Sequence, residues 1–412
     1  MVSVKKGIIV NKKIMKKKSI IIVVALYLLS SVGSYVGFSF AGNDSVIPGV
    51  TTTETQEEDG ESPLSLLLDI DPSEPLDQEC PLNGQLYTNT EREAWEKRRP
   101  MAVMIENTPD SRPQSGIADS DIVFEAVAEG GVTRFMAFYY CDAQKSDLTL
   151  APIRSARTYY VDYASGFNLP LYVHVGGANV PGPTNALGQI GDYGWNGQTD
   201  MNQFSIGYPT FIRDYNRIPG KEIATEHTMV TSTEKIWEVA DEREWTNMSP
   251  ERKYGRKVIA AEEWRDGFEG WTFENTPGEV GEVNTVSYEF WSGYNDYSVS
   301  WEYSSEQNAY LRSQGGEKHI DMNTDEQVAA SNVVVLLTTE KGPINEKKHM
   351  IYGTTGTGDA LIFKNGQAVE AEWYKKSRTA ELTFKDSKGN DIELARGLTW
   401  ISVVNEVTEV AY

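Results

Sequence analysis

The chain has 412 residues, 40% hydrophobic and 24% charged, a composition too apolar for a wholly disordered protein and a length that suits two domains. Its formal net charge is −22, and the first 41 residues hold seven Lys and no acid, so the remainder is more acidic still. A field of that sign excludes nucleic acid as a partner, because polyanions are bound by releasing counterions onto basic side chains.

Lys5, Lys6, Lys12, Lys13, Lys16, Lys17 and Lys18 precede an uncharged apolar run from Ile20 to Phe40. As a helix the run spans roughly 31 Å, which matches the hydrocarbon core of a bilayer. Residues 1–19 are therefore expected to be a basic cytoplasmic tail, 20–41 a transmembrane anchor, and the rest extracytoplasmic by the positive-inside rule. A cleaved signal peptide is the competing reading, with Ser39-Phe40-Ala41 as its small-x-small site; the length of the run favours retention. Lipidation would need a Cys just after the run, and the first Cys is Cys80.

Residues 42–79 are acidic and dotted with Pro, and are expected to form a disordered linker. Order is expected from Cys80. Thr90 followed by Glu93 has the spacing of a capping box opening a helix that closes at Arg98-Arg99-Pro100. Met101–Glu106 is a short apolar strand. The runs Asp121–Val127 and Thr133–Cys141, divided by Glu129-Gly130-Gly131, read as a hairpin. Leu169–Val175 is a further buried strand, and 184–190 and 233–242 read as helices. These elements make 80–245 a mixed α/β domain. Residues 246–282 are an ambiguous connecting segment. From 283 to 412 the chain alternates as strands, with turns at Lys364-Asn365-Gly366 and Asp386–Gly389, and reads as a smaller, mostly antiparallel β domain. The expected class is α+β, two domains behind one transmembrane helix.

Two cysteines in an exported chain suggest one disulfide between Cys80 and Cys141, closing a loop worth about 4 kcal/mol in the chain-entropy model. Two unconnected thiols, with Cys141 as a small core residue, are the alternative.

The chemistry-bearing candidates are few. Ala151-Pro-Ile-Arg-Ser-Ala-Arg157 places Arg154 and Arg157 three apart at an expected helix start, where both would face one anion. Arg213 and Arg217 stand at helical i, i+4 spacing. Internal pairing with Glu125, Glu129 or Asp162 is the competing reading for such arginines in so acidic a chain. His227 is a candidate general base, and His174 a candidate ligand-facing group at a strand's C-terminal end. Glu106, Asp121 and Glu125 fall at strand ends or turns, where a carboxylate pair would hold Mg²⁺ or act as acid and base. No G-x-S-x-G or H-E-x-x-H motif is present, and Gly353–Gly358 lacks the Lys-Ser/Thr end of a phosphate loop.

Arg99–Asn107, Arg112–Gly116, Ala118–Glu125, Ala128–Phe135 and Ile153–Arg157, with Asn332-Val-Val-Val335, Gly366, Trp373 and Gly397–Ile401 in the tail, resemble the bacterial DUF3048 family of envelope proteins. The resemblance covers most of 98–405 and implies an exported, membrane-attached protein of two domains without supplying a reaction. Members carry a lipidated Cys where this chain has an apolar run, and the family's Pro-His-Asn-rich stretch stands here as Thr225–Met229. Asp121-Ile-Val, Pro152-Ile-Arg154 and Gly176-Gly177 are also similar in order to the LytR-CpsA-Psr family of glycopolymer ligases, which implies arginines gripping a polyprenyl pyrophosphate. Three functions follow as expectations: an envelope protein binding a phosphorylated or anionic ligand, with or without transferase or hydrolase activity, through Arg154, Arg157, Arg213 and Arg217; a non-catalytic module binding a protein or glycan; and a carbohydrate surface of exposed Trp and Tyr. Convergence of the four guanidinium groups on one pocket separates the first from the second.

Overall fold

The computed structural model describes residues 67–254 and 257–412, as backbone alone at 252–254, 257 and 259. The expected transmembrane segment lies outside the described residues, among which no helix is long and apolar enough to cross a membrane.

The labelled elements, in chain order, are α1 (Asn89–Trp95), β1 (Met101–Glu106), β2 (Ile122–Glu129), β3 (Val132–Tyr139), α2 (Thr158–Ala164), β4 (Leu171–His174), α3 (Ala186–Asp192), β5 (Asp200–Asn202) and α4 (Thr233–Glu242). They continue with β6 (Thr285–Tyr288), β7 (Val299–Ser304), β8 (Ala309–Gln314), β9 (Asn332–Thr338), β10 (Gly356–Lys364), β11 (Gln367–Lys375), β12 (Thr383–Lys385) and β13 (Thr399–Asn405).

Ten of these strands form one sheet in the order β12-β11-β10-β9-β13-β2-β3-β1-β4-β5. The join between the two sequence regions is the parallel pairing of β13 with β2, in which Thr399–Ser402 lie beside Ile122–Glu125. The mixed α/β region and the β-rich region thus share a continuous sheet. The C-terminal region also builds a second, antiparallel sheet around β6, β7 and β8.

β1 and β2 are buried along nearly their whole length because both faces of the large sheet are covered, which is why they read as mainly apolar runs, broken in β2 by Glu125. Successive side chains alternate between the two faces. Phe124 stacks on Tyr163 of α2 at 5.0 Å. On the opposite face Glu125 meets Arg312 of β8, and Trp400 of β13 meets Trp301 of β7 at 5.4 Å. The result is three layers: helices, the ten-stranded sheet and the smaller sheet.

Two local expectations need correction. The capping box is formed by Thr88 and Glu91, whose side chains bond each other's backbone N–H at 3.2 and 2.8 Å, while Thr90 is held instead by Glu74. That bond, with Leu67 N–H donating to the Lys145 carbonyl, lays residues 67–79 of the expected linker on the fold. The segment 246–282 is similarly engaged, Trp264 donating to the Tyr140 hydroxyl and Trp271 to the Leu382 carbonyl.

Candidate functional site

β1, β2, β4, β5, β9 and β13 all run in one direction, so their C-terminal ends lie along a single edge of the sheet. In sheets of this kind ligands gather outside that edge. Here it carries Glu106 at the end of β1, Glu129 at the end of β2 and His174 at the end of β4.

The segment 151–157 crosses this edge in extended form. Ile153 bridges to Ile105, and Ala156 bridges to Gly177. α2 begins only at Thr158, with Arg157 as an extended N-cap residue. Arg154 and Arg157 therefore do not share a helical face, because residues three apart on extended backbone point to opposite sides. Arg154 turns to Glu106, its Nε 3.1 Å from Oε1. Arg157 turns to Glu129, with which it forms a close ion pair, and it also donates to the Ala156 carbonyl. Burial lowers the pKa of both guanidinium groups, and Arg134 beside Arg154 adds to the effect there.

The same correction applies to the second arginine pair. Ile212–Arg213 is a short strand paired with Met229 and Val230, so helical spacing does not hold. Arg217 is buried and donates to the carbonyls of His227, Pro113 and Ser111, and burial pulls its pKa down to about 10. Arg213 is exposed and reaches the Thr225 carbonyl and the Thr228 hydroxyl. The four guanidinium groups do not meet in one pocket. Arg154, Arg213 and Arg217 all donate to backbone carbonyls of the same turn, Thr225–His227, while Arg157 is held by Glu129.

His227 is buried in that turn, with Nδ1 2.8 Å from Oε2 of Glu106. Glu106 is itself buried and is shared between Arg154 and His227. His174 is fully buried, its ring nitrogens 2.7 Å from Asp200 Oδ1 and 2.6 Å from the Gly176 carbonyl, so it is closed into the fold rather than aimed at a cleft.

Glu125 lies on the other face, in a buried network. Its Oε2 accepts from Arg312 at 2.8 Å and from Trp400 Nε1 at 3.1 Å, and its Oε1 from Thr133 at 2.9 Å. Arg312 sits over the Trp400 ring at 4.5 Å and contacts His319, whose Nε2 lies 3.0 Å from Gln114 Oε1. Asp121 is buried beside the Cys80–Cys141 disulfide, whose Cα atoms are 6.1 Å apart. Asp121 accepts from Asn83 at 2.6 Å and from the Tyr140 N–H at 2.7 Å. Burial, with Asp142 nearby, pushes its pKa up to about 8.

The carboxylates expected to hold Mg²⁺ do not gather. Glu106 and Glu125 are each engaged by a guanidinium group, and among the described residues the close trio of ligating atoms is Cys80, Asp121 and Cys141, whose sulfurs are bonded to each other.

Sequence reasoning missed Arg134, which joins Glu129 at 3.0 Å to the Ser155 carbonyl, and the Arg312–His319–Gln114 chain. The signal was there for Arg134: a lone cation inside the apolar strand Val132–Tyr139 needs a buried partner.

Comparison with known proteins matches two family domains on the chain. Residues 87–246 match the N-terminal domain, and 286–401 the C-terminal domain, of a family described as protein of unknown function (DUF3048). The YerB protein of Bacillus subtilis (strain 168), described as a candidate lipoprotein, is 28% identical over 330 residues, spanning 80% of this chain and 86% of its own. The crystal structure of YerB from Bacillus subtilis is similar in fold, with a TM-score of 0.62 at 24% sequence identity, covering 81% of this chain and 100% of that one. With both family domains present in order and a relative spanning most of its length, the chain belongs to the DUF3048 family.

Proposed function

We propose that this protein is a membrane-tethered, extracytoplasmic module of the cell envelope that binds a partner without catalysing a reaction. Support for the location comes from the apolar run Ile20–Phe40 behind seven Lys, from the lipoprotein description of the Bacillus subtilis relative, and from a disulfide suited to an oxidising space. The observation that carries the non-catalytic reading is the mutual engagement of the groups otherwise suited to chemistry. Glu106 is held by Arg154 and His227, Glu129 by Arg134 and Arg157, and Glu125 by Arg312. Ion pairs of this kind orient and seal the loops around a sheet edge, and removing one partner leaves a buried charge unmatched.

A second reading has its own support. Arg154, the buried Arg217 and the exposed Arg213 all reach the Thr225–His227 turn, and cations gathered on one turn suit a phosphate group such as that of a polyprenyl phosphate. Isothermal titration of the full chain in detergent with magnesium pyrophosphate separates the two. The module reading predicts no saturable binding. Saturable binding lost in a folded Arg154→Ala/Arg213→Ala variant overturns it in favour of an anion site.

A further inference from the structure

The triplet Asn-Gly-Gln occurs three times, at 83–85, 196–198 and 365–367. An Asn followed by Gly is open to loss of its side-chain amide, because glycine puts no Cβ in the way of its own backbone nitrogen. That nitrogen attacks the Asn Cγ and closes a succinimide. The Cγ–Nδ2 bond breaks, and the amide leaves as ammonia with the proton of the attacking N–H. Water then opens the ring at either carbonyl, giving aspartate or isoaspartate, a covalent change that adds a negative charge. With the same local sequence three times over, the intrinsic reactivity is shared and the fold alone separates the sites.

Asn83 is buried and locked. Its Nδ2 donates to Asp121 Oδ1 at 2.6 Å and to the Tyr87 hydroxyl at 3.0 Å, and its Oδ1 accepts the Gln85 N–H at 2.8 Å. The Gly84 N–H is committed to the Cys80 carbonyl at 3.0 Å. Asn365 is buried at the tight turn between β10 and β11, its Nδ2 donating to Glu274 Oε2 at 2.8 Å and its Oδ1 accepting from Asn308 at 2.9 Å. Swinging either Cγ onto the next nitrogen breaks these bonds and strands polar groups in the interior. Asn196 differs. It and Gly197 are exposed between α3 and β5, and among the described residues no hydrogen bond holds the Asn196 amide. A Cβ at Gly197 would meet nothing within 4 Å, so the space around the attacking nitrogen is open. The turn is pinned behind by buried Trp195, whose carbonyl accepts the N–H groups of Gln198 and Thr199, each at 2.9 Å. β5 then begins at Asp200, which holds His174 at 2.7 Å, so an isoaspartate at 196 would lengthen the backbone just ahead of that contact.

We propose that Asn196 is a site of spontaneous modification in the folded chain, to isoaspartate or aspartate, and that the fold protects Asn83 and Asn365 from the same reaction. The test incubates the full chain in detergent in mildly alkaline buffer, which favours loss of the Gly197 amide proton, beside the chain unfolded in guanidinium chloride with reductant. Mass spectrometry of proteolytic peptides reads the modified fraction at each triplet over time. In the folded chain Asn196 is expected to convert at least about tenfold faster than Asn83 or Asn365, because a protected site reacts only through local opening. In the unfolded chain the three are expected to convert at similar rates. Gly197→Ala is expected to slow the reaction at Asn196 and to melt with the wild type, since Gly197 does not use the left-handed region and has room for a methyl group. The ranking within the wild type keeps the test intact if that variant unfolds. Conversion of Asn83 or Asn365 as fast as Asn196 in the folded chain, an unmodified Asn196 once the unfolded chain has converted, or the folded-state ranking repeated in the unfolded chain overturns the proposal.

Discussion

Glu106 and His227, 121 residues apart in the chain, meet with Nδ1 and Oε2 2.8 Å apart at the C-terminal edge of the sheet. The other carboxylate oxygen faces Arg154 at 3.1 Å, so one buried acid closes two loops at once. Glu106→Gln leaves Arg154 without its counter-charge and is expected to destabilise the fold by about 3 kcal/mol. His227→Ala removes one hydrogen bond from the same acid and is expected to cost less, about 1–2 kcal/mol. Urea denaturation of both variants gives the ordering.

On the opposite face, Arg312 and Glu125 are both fully buried and 2.8 Å apart. Removing either alone strands a charge between the two sheets, so Arg312→Met and Glu125→Gln are each expected to cost about 3–5 kcal/mol. The double variant is expected to recover part of that loss, which a double-mutant cycle in denaturant measures as a coupling energy above about 1 kcal/mol.

The Cys80–Cys141 disulfide ties the segment that precedes α1 to the end of β3 across a sequence separation of 61. A loop of that size is worth about 4 kcal/mol in the chain-entropy model. The Cys80→Ser/Cys141→Ser variant is expected to lose most of this, seen as a lower midpoint in urea. The change in midpoint on adding reductant to the wild type gives the same quantity independently.

Stability is expected to fall as pH rises from 6.5 to 7.5. Burial, helped by Asp321, raises the Asp119 carboxyl to about 7, and burial with Asp142 raises Asp121 to about 8. Below pH 4 these groups are protonated in folded and unfolded chains alike. Above that the unfolded chain releases protons that the folded chain keeps, so the contribution is lost as pH climbs through the folded values. The window lies above His349, pulled down to about 4 by burial and by Arg157 and Arg134, and below Lys375, lowered to about 8 by burial; both of those act with the opposite sign. The expected loss is about 1 kcal/mol across the window, and Asp119→Asn is expected to reduce it while the larger share, from Asp121, remains.

Much of the fold was legible because its central strands are covered on both faces. Asn332–Thr338 is a continuous apolar run, the β2–β3 hairpin is apolar and aromatic but for Glu125, Glu129, Thr133 and Arg134, and α4 falls on Thr233–Glu242 as its apolar spacing predicts. The insertion of β13 between β9 and β2 was not legible, since parallel pairing between segments far apart in the chain leaves no local pattern. The arginines at 154 and 157 misled for a related reason: bridges from Ile153 and Ala156 to distant strands hold the backbone extended against its helical spacing. That Arg154 and Arg157 would be taken up by acids was one of the two alternatives open from charge alone, but which acids depended on tertiary placement.

The central claim is that the charges at the sheet edge hold one another rather than a ligand. It is tested most directly by a double-mutant cycle on Glu106→Gln and Arg154→Met, read by urea denaturation with and without pyrophosphate. The account predicts a coupling energy above about 1 kcal/mol that pyrophosphate does not change. A coupling near zero, together with wild-type stability that rises with pyrophosphate concentration and does not rise in Arg154→Met, would contradict it.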